Sequence, residues 1–543
     1  MSKHRLSPTL PFPKKLHLDP EAESCSYSRL SFESLSDEIT LLIFSYLSWV
    51  DLCAAQATSG NWYRLATDNE LWRNLYLSIF KSSRLRGARG FVGRTDGREI
   101  KNLPGRAKVE ELKDWRWMFR ISMNWMTGRC AIDLKPRIQG SEQSHILLVG
   151  SLTITAASQL IHLQTVAGVG HTLPCKTTTH SAHITALAVD QSAASTGHAR
   201  LAVFLSSGEF RVFSVNHNRP SLSCAELSYA PSRRSNRICP IIKAVYHHPL
   251  LITLSETFTL SIYSLSSGSA VLKETLTSFT SFPPTSMVLS SSSPATYKLV
   301  LAYTTPVYPD HWSVGATELI IAGYSSESEL PSSSSFLAPE HTPMSIISTR
   351  NARAVDVPQG WVDEQKLRLM REQWSRKVCR VADTQTDGKW VVLAPEDPAS
   401  YSTPSSPSPS PASSPPSIAY ASSSMYSPSS LQLYRLSLPP STSISSAAPK
   451  LTFVRTLHGQ LGPVKALSLS DSRCVSFGVN GSIWVWDLNT AMGAEVAAPM
   501  AMPEGSLQED TNALGLAKRS VVFDERRIVT AVNGNVVERR FDI

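Results

Sequence analysis

Few residues in this chain could carry out chemistry, and they are scattered. Cys175, His180 and His183 come nearest to a metal-ligand set. Structural zinc takes four N or S ligands, typically as two spaced pairs. No second pair accompanies this trio, so it reads as a chance cluster. There is no G-x-S-x-G, no H-E-x-x-H and no Walker loop, and Gly168-Val169-Gly170 lacks the third glycine of a dinucleotide loop. No Asp or Glu pair is singled out as an acid/base dyad. No catalytic residue, metal or cofactor is expected. Six of the hydroxyls that precede proline gather in one stretch, at Thr403, Ser406, Ser408, Ser410, Ser414 and Ser427. Each could accept a phosphate bringing about −1.5 to −2 charge, although they sit in a stretch that reads as a plain disordered loop. The chemistry left to the chain is binding through apolar side chains.

Composition narrows the partners. The 543 residues carry a formal charge of +8, with Lys and Arg spread along the chain rather than gathered in one tract. A nucleic-acid binder concentrates them on a face or stripe, so no nucleic-acid partner is expected. The eight cysteines (Cys25, Cys53, Cys130, Cys175, Cys224, Cys239, Cys379, Cys474) form no C-x-x-C pair. They read as reduced thiols of a cytoplasmic or nuclear protein. The N-terminus has no apolar run behind its charges, and the longest apolar stretch, Ile39–Val50, is too short to span ~30 Å of hydrocarbon. A soluble chain without membrane contact is expected.

The elements that position these side chains fall into two textures. Residues 1–30 are Pro-rich and polar and read as a disordered tail. Residues 31–80 read as a small helical domain. Its first helix carries Ile39, Leu42, Ile43, Tyr46 and Leu47 at the i, i+3, i+4, i+7, i+8 spacing of an amphipathic stripe. Ser36 or Asp37 is placed to cap it, and Asp51 to start a second helix. A basic loop, 84–106, and a Trp-rich helix ending near Gly128 fill residues 81–139. From 140 to 543, short runs rich in Val, Ile, Leu and Phe alternate with Ser, Gly, Asn and Pro in seven zones. Spacing near forty residues suggests propeller blades, about seven, with six or eight left open. The Ser/Pro-rich segments 325–343 and 396–430 cannot bury enough apolar area to offset ordering entropy of ~1–2 kcal/mol per residue. The second lies between two strand-like runs and reads as a long loop inside one blade.

The helical segment resembles the F-box family along its length: Leu35-Ser36-Asp37-Glu38-Ile39, then Ile43-Phe44-Ser45-Tyr46-Leu47, Asp51-Leu52, Asn61-Trp62-Tyr63-Arg64-Leu65-Ala66, and Leu71-Trp72-Arg73. Ser36 stands where the family usually has Pro. Gly60, where Cys or Ser is common, reads as a helix end. The resemblance implies docking onto a Skp-type adaptor, and through it a cullin scaffold, with Leu35, Ile39, Ile43, Leu47 and Leu52 as adaptor-binding residues. Trp62, Leu71 and Trp72 are assigned to the core of the module.

At the other end, Leu457-His458-Gly459-Gln460 and Gly478-Val479-Asn480-Gly481-Ser482-Ile483-Trp484-Val485-Trp486-Asp487 resemble one WD-repeat blade. Gly459, Asn480, Gly481, Trp486 and Asp487 are its structural residues, and Asn480-Gly481 reads as a type I′ turn. Gln460 replaces the family's His, which leaves open the hydrogen-bonded tetrad that the resemblance implies. Arg200–Val215 and Val532–Phe541 read as weaker blades. Asn124-Trp125 and Gly128 resemble the connector that F-box proteins with WD repeats place before the first blade.

The combined resemblance implies a non-catalytic substrate receptor of an SCF-type ubiquitin ligase, its propeller binding a target that the sequence does not name. An F-box scaffold outside ubiquitination and a plain propeller platform are the alternatives. Arg200, Arg211, Arg380 and Arg455 are eligible to bind a phosphorylated target. A charged helical stretch, Asp363–Arg380, has Leu367, Met370, Trp374 and Val378 on one stripe. It reads as packing on its own domain or as gripping an acidic partner.

Overall fold

The structure is a computed structural model. It describes residues 35–80, 114–135, 144–166, 168–175, 182–192, 198–231, 239–265, 268–293, 296–307, 311–322, 344–355, 360–396, 429–439, 448–499, 519–532 and 534–543. The expected tail 1–30, the basic loop 84–106, the segment 325–343 and all six proline-directed hydroxyls lie outside these residues. The chain divides into two compact units, 1–75 and 76–543.

The first unit holds α1 (Asp37–Phe44), α2 (Trp49–Gln56), α3 (Gly60–Ala66) and most of α4 (Asn69–Ile79). Side chains supply the orphan backbone donors at the helix starts. Ser48 accepts from Asp51 N at 3.3 Å and donates back to the Asp51 carboxylate at 2.7 Å. Ser59 accepts from Trp62 N, and Asp68 accepts from Glu70 N and Leu71 N. Two expectations are corrected here. Asp51 sits in the first turn of α2 rather than before it, and Gly60 opens α3 rather than ending a helix. Phe44, Leu52, Leu65, Ala66, Leu71 and Trp72 form the buried interior.

The second unit begins with the end of α4, where Tyr76 packs its ring 5.6 Å from Trp115. Trp115 opens α5 (Trp115–Thr127), capped by Asp114 and closed by Gly128 in the left-handed region at φ 73°. A Cβ at Gly128 would lie 2.0 Å from the Glu495 carbonyl oxygen, so this position requires glycine on two counts.

Seven four-stranded antiparallel sheets follow. Six are sequential: 144–174, 184–229, 241–277, 282–353, 381–457 and 464–497. The seventh combines three strands from 519–540 with Ala131–Leu134, which lies outermost and pairs as Ala131↔Arg540 and Leu134↔Val537. The first strand of each blade packs on the first strand of the next, and Arg519–Phe523 packs back on Ser144–Val149. The ring is therefore closed, with seven blades. The segment 81–139, read as loop and connector helix, also supplies the closing strand.

Strand position within a blade explains the sequence texture. Second strands such as Leu152–Ala157, Leu250–Ser255 and Trp390–Pro395 are buried at every residue. They have blades on both sides, so they read as continuous apolar runs. Outermost strands such as Ser345–Arg353 alternate and show one face to solvent. Trp390–Pro395 pairs with Leu431–Ser437 in one sheet, so the chain between them, most of it outside the described residues, connects neighbours within a blade.

Carboxylates couple blade to blade. Asp190 accepts from His248 N at 2.9 Å, Asp383 from Leu467 N at 2.7 Å and Asp387 from Ser472 N at 2.8 Å. At the closure, Arg527 pairs with Glu538 at 3.0 Å and donates to the Gly150 and Leu152 carbonyls. Lys135, one residue past the closing strand, reaches the other Glu538 oxygen at 3.1 Å. These buried charges are compensated in place, the condition under which they are tolerated.

Candidate functional site

On α1 the acidic residues Asp37 and Glu38 fill the first turn, where the helix dipole favours negative charge. Ser36 occupies the N-cap position, yet its side chain makes no capping bond to the backbone. Its hydroxyl instead serves Glu38, whose carboxyl is held below its ordinary pKa by its own backbone N–H first and by Ser36 second. Arg64 of α3 donates to Asp37 at 2.6 Å, tying α3 to the start of α1.

The helix turns Thr40 and Phe44 inward. The Trp62 ring meets Phe44 edge-on at 5.4 Å. The Trp72 indole donates to the Ala66 carbonyl at 2.8 Å from a fully buried position, with Leu71 buried beside it in sequence. The three assigned core residues thus lie inside or at the edge of the module, Trp62 being the half-buried one.

The opposite face of α1 is apolar and open. Ile39 is 49% exposed, Leu42 59% and Ile43 39%; the helix ends at Phe44, short of the expected stripe, so Tyr46 (84%) and Leu47 lie beyond it, with Trp49 and Val50 also exposed at the start of α2. Leu35 and Leu47 are half-buried at the margins. Leu52 is 1% exposed. It was expected on the adaptor face, and the structure places it in the core instead, because α2 packs that side against α3. The stripe spacing already contained Leu42 and Tyr46. Their weight as surface anchors emerges only from seeing which arc of the stripe the core takes.

The sixth blade holds the WD-like residues. Trp486 Nε1 donates to Ser476 Oγ at 2.9 Å, and Ser476 donates to Gln460 Oε1. Gln460 Nε2 donates to Ser482 Oγ at 3.1 Å, and Ser482 donates to Asn480 Oδ1 at 2.7 Å. An amide has an acceptor and a donor on one side chain, so Gln460 relays where a histidine was expected. Gly459 lies against the Trp484 ring, and a Cβ there would approach it to 2.7 Å. Asp487 accepts from Asn489 N at 3.0 Å and takes no part in the relay. The turn is not type I′. Gly481 alone has positive φ, Gly481 N donates to the Gly478 carbonyl, and Gly478 N to the Ser482 carbonyl. That is the three-residue loop with a glycine bulge. Ser207-Gly208 repeats it between Leu205 and Glu209.

The four eligible arginines fall on two blades. Arg200 and Arg211 lie on paired strands of the second, and Arg380 and Arg455 belong to the fifth. Arg200 is engaged by Glu226 at 3.1 Å and Asp190 at 3.7 Å. Cys175 is buried and unpaired, and among the described residues no group of His, Cys, Asp and Glu is arranged to hold a metal. Among the same residues no helix is long and apolar enough to cross a membrane.

A model of F-box-like domains matches residues 32–78. A model described as the F-box protein pof12 beta-propeller matches residues 162–521, about two thirds of the chain. The chain belongs to the F-box protein family with a pof12-type β-propeller. Membership accounts for both units: an F-box module of the kind that binds a Skp-type adaptor, and a seven-bladed propeller. It suggests a non-catalytic adaptor role. Among solved structures, this F-box protein is similar to the β-propeller domain of Cps50 (Swd1) from Myceliophteria thermophila, at 9% identity and a TM-score of 0.39. That likeness covers 75% of this chain and 99% of the other. It is also similar to BamB from Moraxella catarrhalis, at 9% identity and a TM-score of 0.34, over 76% and 100% of the two chains.

Proposed function

We propose that this F-box protein is the substrate-recognition subunit of an SCF-type cullin-RING ubiquitin ligase. The observation that carries the reading is the outward apolar face of α1, where Ile39, Leu42 and Ile43 are exposed while Thr40 and Phe44 face inward. A helix that leaves three aliphatic side chains in water presents anchors for a groove on a partner. Each anchor that becomes fully buried contributes roughly 1.5–3 kcal/mol of transfer free energy, part of which offsets association and ordering. The module docks the Skp-type adaptor, the adaptor bridges to the cullin, and the propeller holds the target. The protein performs no bond chemistry. It raises the local concentration of target near the charged enzyme, an effective-molarity effect. All described cysteines are unpaired, in keeping with a cytoplasmic or nuclear chain.

The test is recovery of adaptor and cullin with the wild type and with Ile39→Asp/Ile43→Asp. The wild type is expected to recover both and the variant neither. Recovery of adaptor without cullin favours a scaffold outside ubiquitination. Recovery of neither by the wild type overturns the reading.

A further inference from the structure

Between the fourth and fifth blades lies α6 (Glu364–Ser375), a helix with no buried residue. Its attachments in the described residues gather at one end. Just beyond it, Val378 bridges to Trp312 through two backbone hydrogen bonds. Gln432 donates to the Arg376 carbonyl, and the Arg376 guanidinium stacks 4.2 Å from the Phe453 ring centre. The stripe expected through Leu367, Met370, Trp374 and Val378 is therefore broken, because Val378 belongs to the bridge and not to the helix. Toward the other end, Trp361 is 87% exposed and Leu369 58%, with Val362 and Leu367 also exposed. Helices of about twelve residues are marginal in water unless an apolar face is covered. Local devices support the helix: Asp363 caps Lys366 N at 2.7 Å, and Arg376 pairs with Glu372 one turn back, while Met370 and Trp374 are half-buried.

The charge is one-sided. From Trp361 to Arg380 the bases are Lys366, Arg368, Arg371, Arg376, Lys377 and Arg380, against Asp363, Glu364 and Glu372. One acid is used as the cap and one in the Arg376 pair, while Arg368 and Arg371 are exposed on the helix that carries Leu367 and Leu369.

We propose that α6 is the target-docking element of the propeller, and that it recognises an acidic segment interleaved with large apolar side chains. The apolar side chains of that segment cover Trp361 and Leu369, and its carboxylates pair with Arg368 and Arg371. The inference deepens the receptor reading and rests on it.

The probes are three synthetic peptides titrated into full-length protein: one alternating Glu and Asp with Leu and Phe, its Lys/Arg counterpart, and an acidic peptide with Ser in place of the apolar residues. Peptide anisotropy reports binding. The acidic apolar peptide alone is expected to bind. Arg368→Glu/Arg371→Glu should weaken it about tenfold or more, since two attractive pairs become repulsive, and should gain affinity for the basic peptide. Leu369→Asp should abolish binding of the acidic apolar peptide. These positions are exposed, and an unchanged melting temperature confirms that folding is intact. No binding, equal binding of the acidic and basic peptides, or binding unaffected by either variant overturns the proposal. So does a dimer that Leu369→Asp dissociates, which would make α6 a self-association face. Adaptor recovery by the same variants is measured in parallel. Its failure with peptide binding intact sinks the receptor reading alone, and the reverse sinks only the assignment of α6.

Discussion

Asn124 Nδ2 donates to the Phe541 carbonyl at 2.8 Å, joining residues 417 positions apart. The next side chain reinforces the join. The Trp125 ring stacks on Phe541 with centroids 3.9 Å apart, its Nε1 donates to the Glu525 carbonyl, and the Arg473 guanidinium sits 4.1 Å from its centre. The connector helix α5 is thereby fixed to the last two blades.

Removing the join should be costly. Asn124→Ala leaves a buried carbonyl without its donor and is expected to cost about 1–3 kcal/mol. Trp125→Ala empties a large packed site and is expected to cost about 3–5 kcal/mol. Denaturant unfolding of the full chain measures both. Equal stability of wild type and Trp125→Ala would show that the stack does not anchor the helix.

The two faces of the F-box module should separate under mutation. Leu52→Ala, in the interior, is expected to lower stability by about 2–5 kcal/mol. Ile39→Asp, on the open face, should leave the melting curve within about 0.5 kcal/mol while removing adaptor binding in a pull-down. The reverse pattern would exchange their roles.

The glutamine relay gives a graded series. Gln460→Leu removes the acceptor of the buried Ser476 hydroxyl and a donor to Ser482 inside the sixth blade and should cost about 1–3 kcal/mol. Gln460→His, which can both donate and accept, should cost less. Thermal melts ranking the histidine variant below the leucine variant would contradict the relay.

Burial pushes the Asp383 carboxyl above its ordinary pKa of 3.8, against the lowering effect of Lys243 and the three donors that hold it. The folded state therefore holds this proton more tightly than the unfolded chain. Its contribution is most favourable below 3.8, declines as pH rises through the raised folded value, and is flat above it. Asp383→Asn should lack that segment of the stability–pH curve. Parallel curves for wild type and variant would rule the assignment out.

Much of this was legible in the chain. The α1 stripe, the blade texture and the Trp486-Asp487 signature are local patterns, set by helix and strand periods. Leu52 was misplaced because a short helix offers an apolar residue to either side, and only the packing of α2 on α3 decides which. Ala131–Leu134 was missed because four residues carry no period and their partner lies some four hundred positions away. Asn480-Gly481 suited two turn classes that differ in the sign of one φ angle. The blade-to-blade carboxylates Asp190, Asp383 and Asp387 have no sequence signature, since each acts on a backbone N–H of another blade.

The closing strand imposes an order on synthesis. Ala131–Leu134 leaves the ribosome some four hundred residues before its partner Asn535–Arg540. Through that interval α1 to α4 are already made while the ring stays open. Lys135 lacks its Glu538 partner in that interval, and the closing strand is an unpaired edge, open to pairing with other chains. A chain ending before Arg519 lacks three of the four strands of the seventh blade, so its ring cannot close.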